Sequence, residues 1–221
     1  MDIREELFKN QDTQYADFHS RLVPNIERER IIGVRIPVLR KISKKAANDK
    51  CELSNYFYEE IMIKGMIIGY EKCSIEKHLS DLKDFVPLID NWAVCDCCCA
   101  TYKFTQKNMT AVWNFILPYL SGSEYEIRFA VVMMMDYFLT DDYIDEVLEK
   151  LIFLKSDEYY VNMAVAWALS VAFVKYEDKV YKIIEENRLS AWVHNKTIQK
   201  ICESNRVDKN TKDALKKLKI K

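Results

Sequence analysis

Glycine and proline are scarce in this chain of 221 residues, with four of each. An all-β fold needs many turns and a disordered linker needs flexible residues, so that shortage argues against both. Histidine is rarer still. His19, His78 and His194 are scattered, and no Cys/His nucleophile pair follows from their positions. No glycine-rich loop able to cradle a phosphate is present, which argues against nucleotide binding. The longest apolar run, Phe129–Met135, is too short to span a bilayer, and the N-terminus lacks an apolar signal segment. The net charge of −1 gives no overall pull toward nucleic acid or membrane.

What is present is a composition of the soluble globular kind, 49% hydrophobic and 30% charged. The charge is unevenly spread. Residues 31–48 carry five bases (Arg35, Arg40, Lys41, Lys44, Lys45) and no acid, and from Trp192 onward nine Lys/Arg face three acids. The ends are basic and the middle is acidic. Seven cysteines, four of them within Cys95–Cys99, form no disulfide framework: the count is odd and the spacing wrong. A reducing cytoplasm is the expected location. Consecutive helical cysteines point in different directions, so Cys95, Cys98 and Cys99 predict small apolar packing rather than a zinc site. The Met133–Met135 run reads as core filler. Neither a metal nor a cofactor is expected.

In chain order the pattern predicts helices almost throughout. Met1–Arg21 reads as two short helices with Asp12 as an N-cap, closed by Pro24. After a turn at Gly33, Pro37 opens a helix with Val38, Leu39, Ile42 and Ala46 on its inner stripe and the bases outside. Tyr56–Cys73 follows, expected to be broken by Gly65 and Gly69. Then come Ile75–Val86, Asn91–Phe104, Met109–Leu120, Glu124–Leu139, Asp142–Lys155, Glu158–Tyr176, Asp178–Asn187, Trp192–Ser204 and Lys209–Lys219. Short connections make neighbours antiparallel. The second helix of each hairpin begins near residues 91, 124, 158 and 192, a period of about 33 to 34 residues. The expected fold is all-α: a HEAT-like α-helical solenoid of about six antiparallel helix pairs, one domain over residues 1–221.

The second helices carry the residues of interest. Asp90 or Asn91 can cap the first, which puts Trp92 and Asp96 on one face. A carboxylate beside an indole on an apolar helix is costly unless it is paired, exposed in a cleft or functional. On spacing alone a salt bridge to a neighbouring helix is the favoured reading of Asp96. The next helix offers Arg128, the third Trp167 between alanines, and the fourth Asn195, Lys196 and Lys200. A tryptophan in a helix is more often core than site. Matched positions in successive repeats shift the balance, because repeat register brings them to a common surface.

Gly33–Arg40, Trp92–Asp96, Ile127–Ala130, Ala164–Leu169 and His194–Lys200, in that order, resemble the AlkD-type DNA alkylation repair enzymes, HEAT-like-repeat DNA glycosylases. The resemblance runs from about Ala16 to Arg206. It implies hydrolysis of the N-glycosidic bond of cationic N3- and N7-alkylated purines in duplex DNA, held in a basic concave groove without a base-flipping pocket. It implies that Asp96 is the catalytic carboxylate, that Trp92 and Trp167 lie against the deoxyribose, and that Arg128 meets the same backbone. Arg35, Arg40, Lys41, Asn195, Lys196 and Lys200 are the further expected DNA contacts, and Phe18 stands where the family often has tyrosine. A monomer is expected, with no metal, cofactor or membrane.

The chain also departs from the pattern. Family members bring bases to DNA on the helix of the second tryptophan. Here Asn162-Met163 and Ser170-Val171-Ala172 carry no positive charge before Lys175, while Asp90, Glu124, Glu126 and Asp136 surround the expected groove. Phosphate contacts dominate DNA affinity, so weak binding follows. Two alternatives stay open: a DNA-binding paralogue without excision, and an α-solenoid scaffold for protein partners.

Overall fold

The computed structural model describes residues 2–47 and 53–221. Among the described residues there are thirteen α-helices, joined by turns and short 3-10 segments, and no strand. This is the all-α, HEAT-like solenoid packing read from the period. The chain forms two compact units, residues 1–118 and 119–221.

The first unit holds α1 (Ile3–Lys9), α2 (Thr13–Ser20), α3 (Ile36–Ala46), α4 (Tyr58–Tyr70), α5 (Ile75–Phe85), α6 (Trp92–Cys99) and α7 (Met109–Ile116). Helix α4 packs on α3 and α6, with α5 behind it and α7 against α5. Asp12 caps α2 as expected, its carboxylate accepting from Tyr15 N–H at 2.9 Å, and Pro37 lies in the first turn of α3. Leu39, Ile42 and Ala46 are buried on α3, whereas Val38 is only half-buried and Ser43 completes the stripe.

One expectation fails here. Helix α4 runs unbroken through Gly65 and Gly69. The glycines serve close packing. A Cβ at Gly65 would lie 2.2 Å from Phe85 Cζ and 2.6 Å from Cys98 Sγ, and one at Gly69 would lie 2.1 Å from Thr101 Oγ1. They let α4 approach α5 and α6, and burial on both sides outweighs the intrinsic helix cost of about 1 kcal/mol per glycine.

The second unit holds α8 (Glu124–Tyr137), α9 (Ile144–Phe153), α10 (Tyr159–Lys175), α11 (Glu177–Glu185), α12 (Ala191–Glu203) and α13 (Lys209–Lys217). Helix α10 packs between α8 and α12, with α9 and α11 against it and α13 on α12. Met133, Met134 and Met135 are core, as their run suggested. Helices α6, α8, α10 and α12 begin at Trp92, Glu124, Tyr159 and Ala191, within two residues of the expected positions. Their starts are set by caps: Asn91 accepts from Val94 N–H at 2.9 Å, Ser123 and Glu126 form a capping box, and Ser190 accepts from Val193 N–H at 3.4 Å.

Candidate functional site

In the first unit two of the expected site residues, Trp92 and Asp96, lie on α6. Asp96 is the only charged residue of that helix and is half-buried, one turn beyond Trp92. The indole is held from outside the helix, since Trp92 Nε1 donates to the Leu22 carbonyl at 2.8 Å. Phe18, four residues before Leu22, is 57% exposed. Asn91 is itself buried, so the cap that starts α6 also fixes where Trp92 and Asp96 point.

The cysteines beside Asp96 are structural. Cys95, Cys98 and Cys99 are buried as small packing residues, as expected, and Cys98 Sγ donates to the Met62 carbonyl of α4 at 3.4 Å. Burial, and then the Asp96 charge, push the Cys97 thiol up to about 11, which leaves it protonated and unreactive near neutrality. The six described cysteines are free thiols, and Cys51 lies outside the described residues. Among the described residues no group of three His, Cys, Asp or Glu side chains is arranged to hold a metal ion.

The bases of α3 divide between two faces. Arg40 lies within electrostatic reach of both Cys97 and Tyr70, and Lys44 sits 5.3 Å from the Tyr70 ring centroid. These two face α4 and α6, where Asp96 is. Lys41 and Lys45 instead line a small cleft with Glu6 and Asn10 of the N-terminal segment. Arg35 is exposed, paired with Asp12 at 2.8 Å and stacked 4.7 Å from the Tyr15 ring centroid. The bond from Tyr15 N–H and the Arg35 guanidinium hold the Asp12 carboxyl below its ordinary value.

The loop carrying Arg35 rests on a residue that the sequence did not single out. Glu59, fully buried in α4, accepts from the N–H groups of Ile32, Gly33 and Val34 at 3.0, 2.6 and 3.2 Å. Burial raises its pKa, against the opposing effect of those three amides. Gly33, at φ +95°, makes the turn, and a Cβ there would lie 2.2 Å from the Asp12 carbonyl oxygen.

The remaining expected residues lie in the second unit. Arg128 is 5% exposed, and its Nη1 donates to the Tyr160 carbonyl at 2.8 Å. Glu124, one turn earlier, accepts from Tyr160 N–H at 2.8 Å. The pair grips the first turn of α10 by both backbone groups of one residue. Arg128 therefore has a structural task, whatever else it meets.

Trp167 is half-buried in the middle of α10. With Val171 and Val174 it lines a cleft of about 310 Å³, whose other wall is Lys200 and Glu203 of α12 and, beyond the helix, Arg206. The structure thus joins Trp167 to Lys200 and adds Arg206, a residue without helical register to mark it. Lys196 lies 5.4 Å from the Trp192 ring centroid and bonds Gln199 at 2.9 Å. Asn195 donates to the Ile220 carbonyl at 2.8 Å and accepts from its N–H at 3.0 Å. Buried His194 bonds the Leu218 carbonyl at 2.8 Å. These two neighbours fasten the C-terminal segment, a task distinct from the expected contact of Asn195 with DNA.

Among the described residues no helix is long and apolar enough to cross a membrane. Comparison with known proteins gives one result. The family model described as DNA alkylation repair enzyme matches residues 3–201 of the 221. Neither the search of curated proteins nor that of solved structures found a match. A match over that much of the chain, on an all-helical repeat fold, is decisive: the protein belongs to the DNA alkylation repair enzyme family, and its role lies in alkylation repair with DNA as its partner.

Proposed function

We propose that the protein is a DNA glycosylase that releases cationic N3- and N7-alkylated purines from duplex DNA without flipping the base. The observation that carries this reading is Asp96: a half-buried carboxylate, the only charge on its helix, one turn from an indole tethered to Leu22. An alkylated purine cation is already a good leaving group and needs no general acid. As the C1′–N bond breaks, its electron pair neutralises the purine ring and positive charge develops on the sugar. Asp96 stabilises that charge and orients a water molecule. The water oxygen bonds C1′, and its proton passes to the carboxylate and then to solvent.

In this reading Trp92 and Trp167 offer ring faces to the deoxyribose, and Phe18 lies beside the lesion. Arg128, Arg35, Arg40, Lys44, Lys196 and Lys200 serve the phosphate backbone, whereas Lys41, in its cleft with Glu6 and Asn10, contributes little to it. Residues 1–221 serve as a single repeat domain, in a monomer without metal or cofactor. The free thiols fit a reducing cytoplasm.

A second reading, binding to DNA without excision, is favoured by two observations: α10 carries no charge before Lys175, and Arg128 is engaged by Tyr160. Incubation with duplex DNA carrying N7-methylguanine, at protein excess and low salt, separates the two. Base release is the expected result. Salt-dependent binding without release supports the second reading, and a protein that does neither is a scaffold.

A further inference from the structure

Helix α10 poses an electrostatic problem, because its only charge is Lys175 in its last turn, which pairs with Asp141 at 3.4 Å. An inner helix so poor in cations cannot itself hold a phosphate chain. The cleft beside Trp167 supplies cations from elsewhere. Its α10 wall is mainly apolar, since the Ser170 hydroxyl is turned to the Trp167 carbonyl at 2.7 Å, and it is open, with Val171 and Val174 at 37% and 38% exposed. Its far wall carries Lys200 and Arg206 against a single acid, Glu203, whose carboxylate already accepts from Gln199 at 2.8 Å.

An apolar floor with a surplus cation at the rim is complementary to a sugar joined to a phosphate, and a poor match for a purely ionic partner. The turn holding Arg206 is ordered from both sides. Arg206 N–H donates to the hydroxyl of Ser204, the C-cap of α12, at 3.2 Å, and Asp208 two residues on caps α13 through Asn210 and Thr211. A preordered turn binds at lower entropic cost than a mobile one. Arg206 also lies beyond residue 201, where the family match ends.

We infer that this cleft seats one sugar–phosphate unit of the DNA strand, with Arg206 and Lys200 as its cations and Trp167, Val171 and Val174 as the floor for the sugar. Arg206 thereby substitutes for the charge that α10 lacks. The inference rests on the reading of the protein as a DNA-acting enzyme, and it adds a contact outside the repeat register.

The test is duplex binding by fluorescence anisotropy, with the affinity followed from low to moderate salt. Four proteins are compared: wild type, Arg206→Ala, Val171→Glu, and Arg188→Ala as a control at an exposed arginine outside the cleft. Loss of one phosphate contact lowers the slope of log K against log salt by about 0.9. Arg206→Ala is expected to show that loss, Val171→Glu to bind more weakly still, and Arg188→Ala to match wild type. Salt-dependent binding by wild type with an unchanged slope in Arg206→Ala overturns the cleft assignment and leaves the DNA reading intact. A wild type that does not bind duplex at low salt overturns the DNA reading, and the cleft with it.

Discussion

His19 lies on α2 with 5% of its surface exposed, its ring 5.6 Å from that of Tyr15 and 5.0 Å from that of Tyr58. Burial alone holds its pKa below the ordinary 6.5, and burial does the same at His78 against the stacked Phe104 ring. With folded values depressed, the unfolded chain binds more protons below about pH 6.5, so stability is lost as the pH falls through that range. The urea midpoint of wild type is therefore expected to fall between pH 7 and pH 5. His19→Phe keeps a ring between the two tyrosines and should show a smaller fall. An equal fall in both proteins contradicts this account of His19. At this scale the sequence was only partly legible. Asp96 and Trp92 stood out because a charge and an indole one turn apart are unusual on an apolar helix. Glu59 did not, because the three amides that it holds are 25 to 27 residues away in the chain. Arg128 did stand out, but its grip on α10 did not, because its backbone partner Tyr160 is 32 residues distant.

Helix starts were legible because capping is local: Asp12, Asn91 and Ser74 each accept from a backbone N–H three residues ahead. Helix ends and close approaches were not. Helix α6 stops at Cys99 rather than at the expected Phe104, where the Thr101 hydroxyl takes up the Cys98 carbonyl at 2.7 Å and a 3-10 turn follows. The same Thr101 explains Gly69. A Cβ there would meet its Oγ1 at 2.1 Å and its backbone carbonyl oxygen at 2.6 Å, so no side-chain rotation relieves the clash. Gly69→Ala gains about 1 kcal/mol in helix propensity. Overpacking costs about 1–3 kcal/mol, with the upper end expected where backbone must move. Equilibrium denaturation should therefore show net destabilisation, and a stabilised variant contradicts the packing of α4 on the turn after α6.

At the scale of the whole molecule, a net charge of −1 means that DNA must be held by local rows of cations. The sequence marked the N-terminal bases as one group, whereas the structure sorts them by face. Arg40 and Lys44 lie toward Cys97 and Tyr70, and Lys41 shares a cleft with Glu6. In salt titrations of duplex binding, Arg40→Ala with Lys44→Ala is expected to lower the slope by about 1.8, as for two lost phosphates. Lys41→Ala should change it far less, and a loss equal to that of Arg40→Ala alone contradicts this division.

The central claim, that Asp96 carries the chemistry, is tested by single-turnover release of N7-methylguanine from duplex DNA. Wild type and Asp96→Asn are compared at protein concentrations that saturate the DNA. The amide keeps the shape of the side chain and removes its charge. The account predicts release by wild type, a fall in rate of about 10²–10³-fold in Asp96→Asn, the size typical of one lost electrostatic stabiliser, and unimpaired duplex binding. Release at the wild-type rate by Asp96→Asn contradicts it.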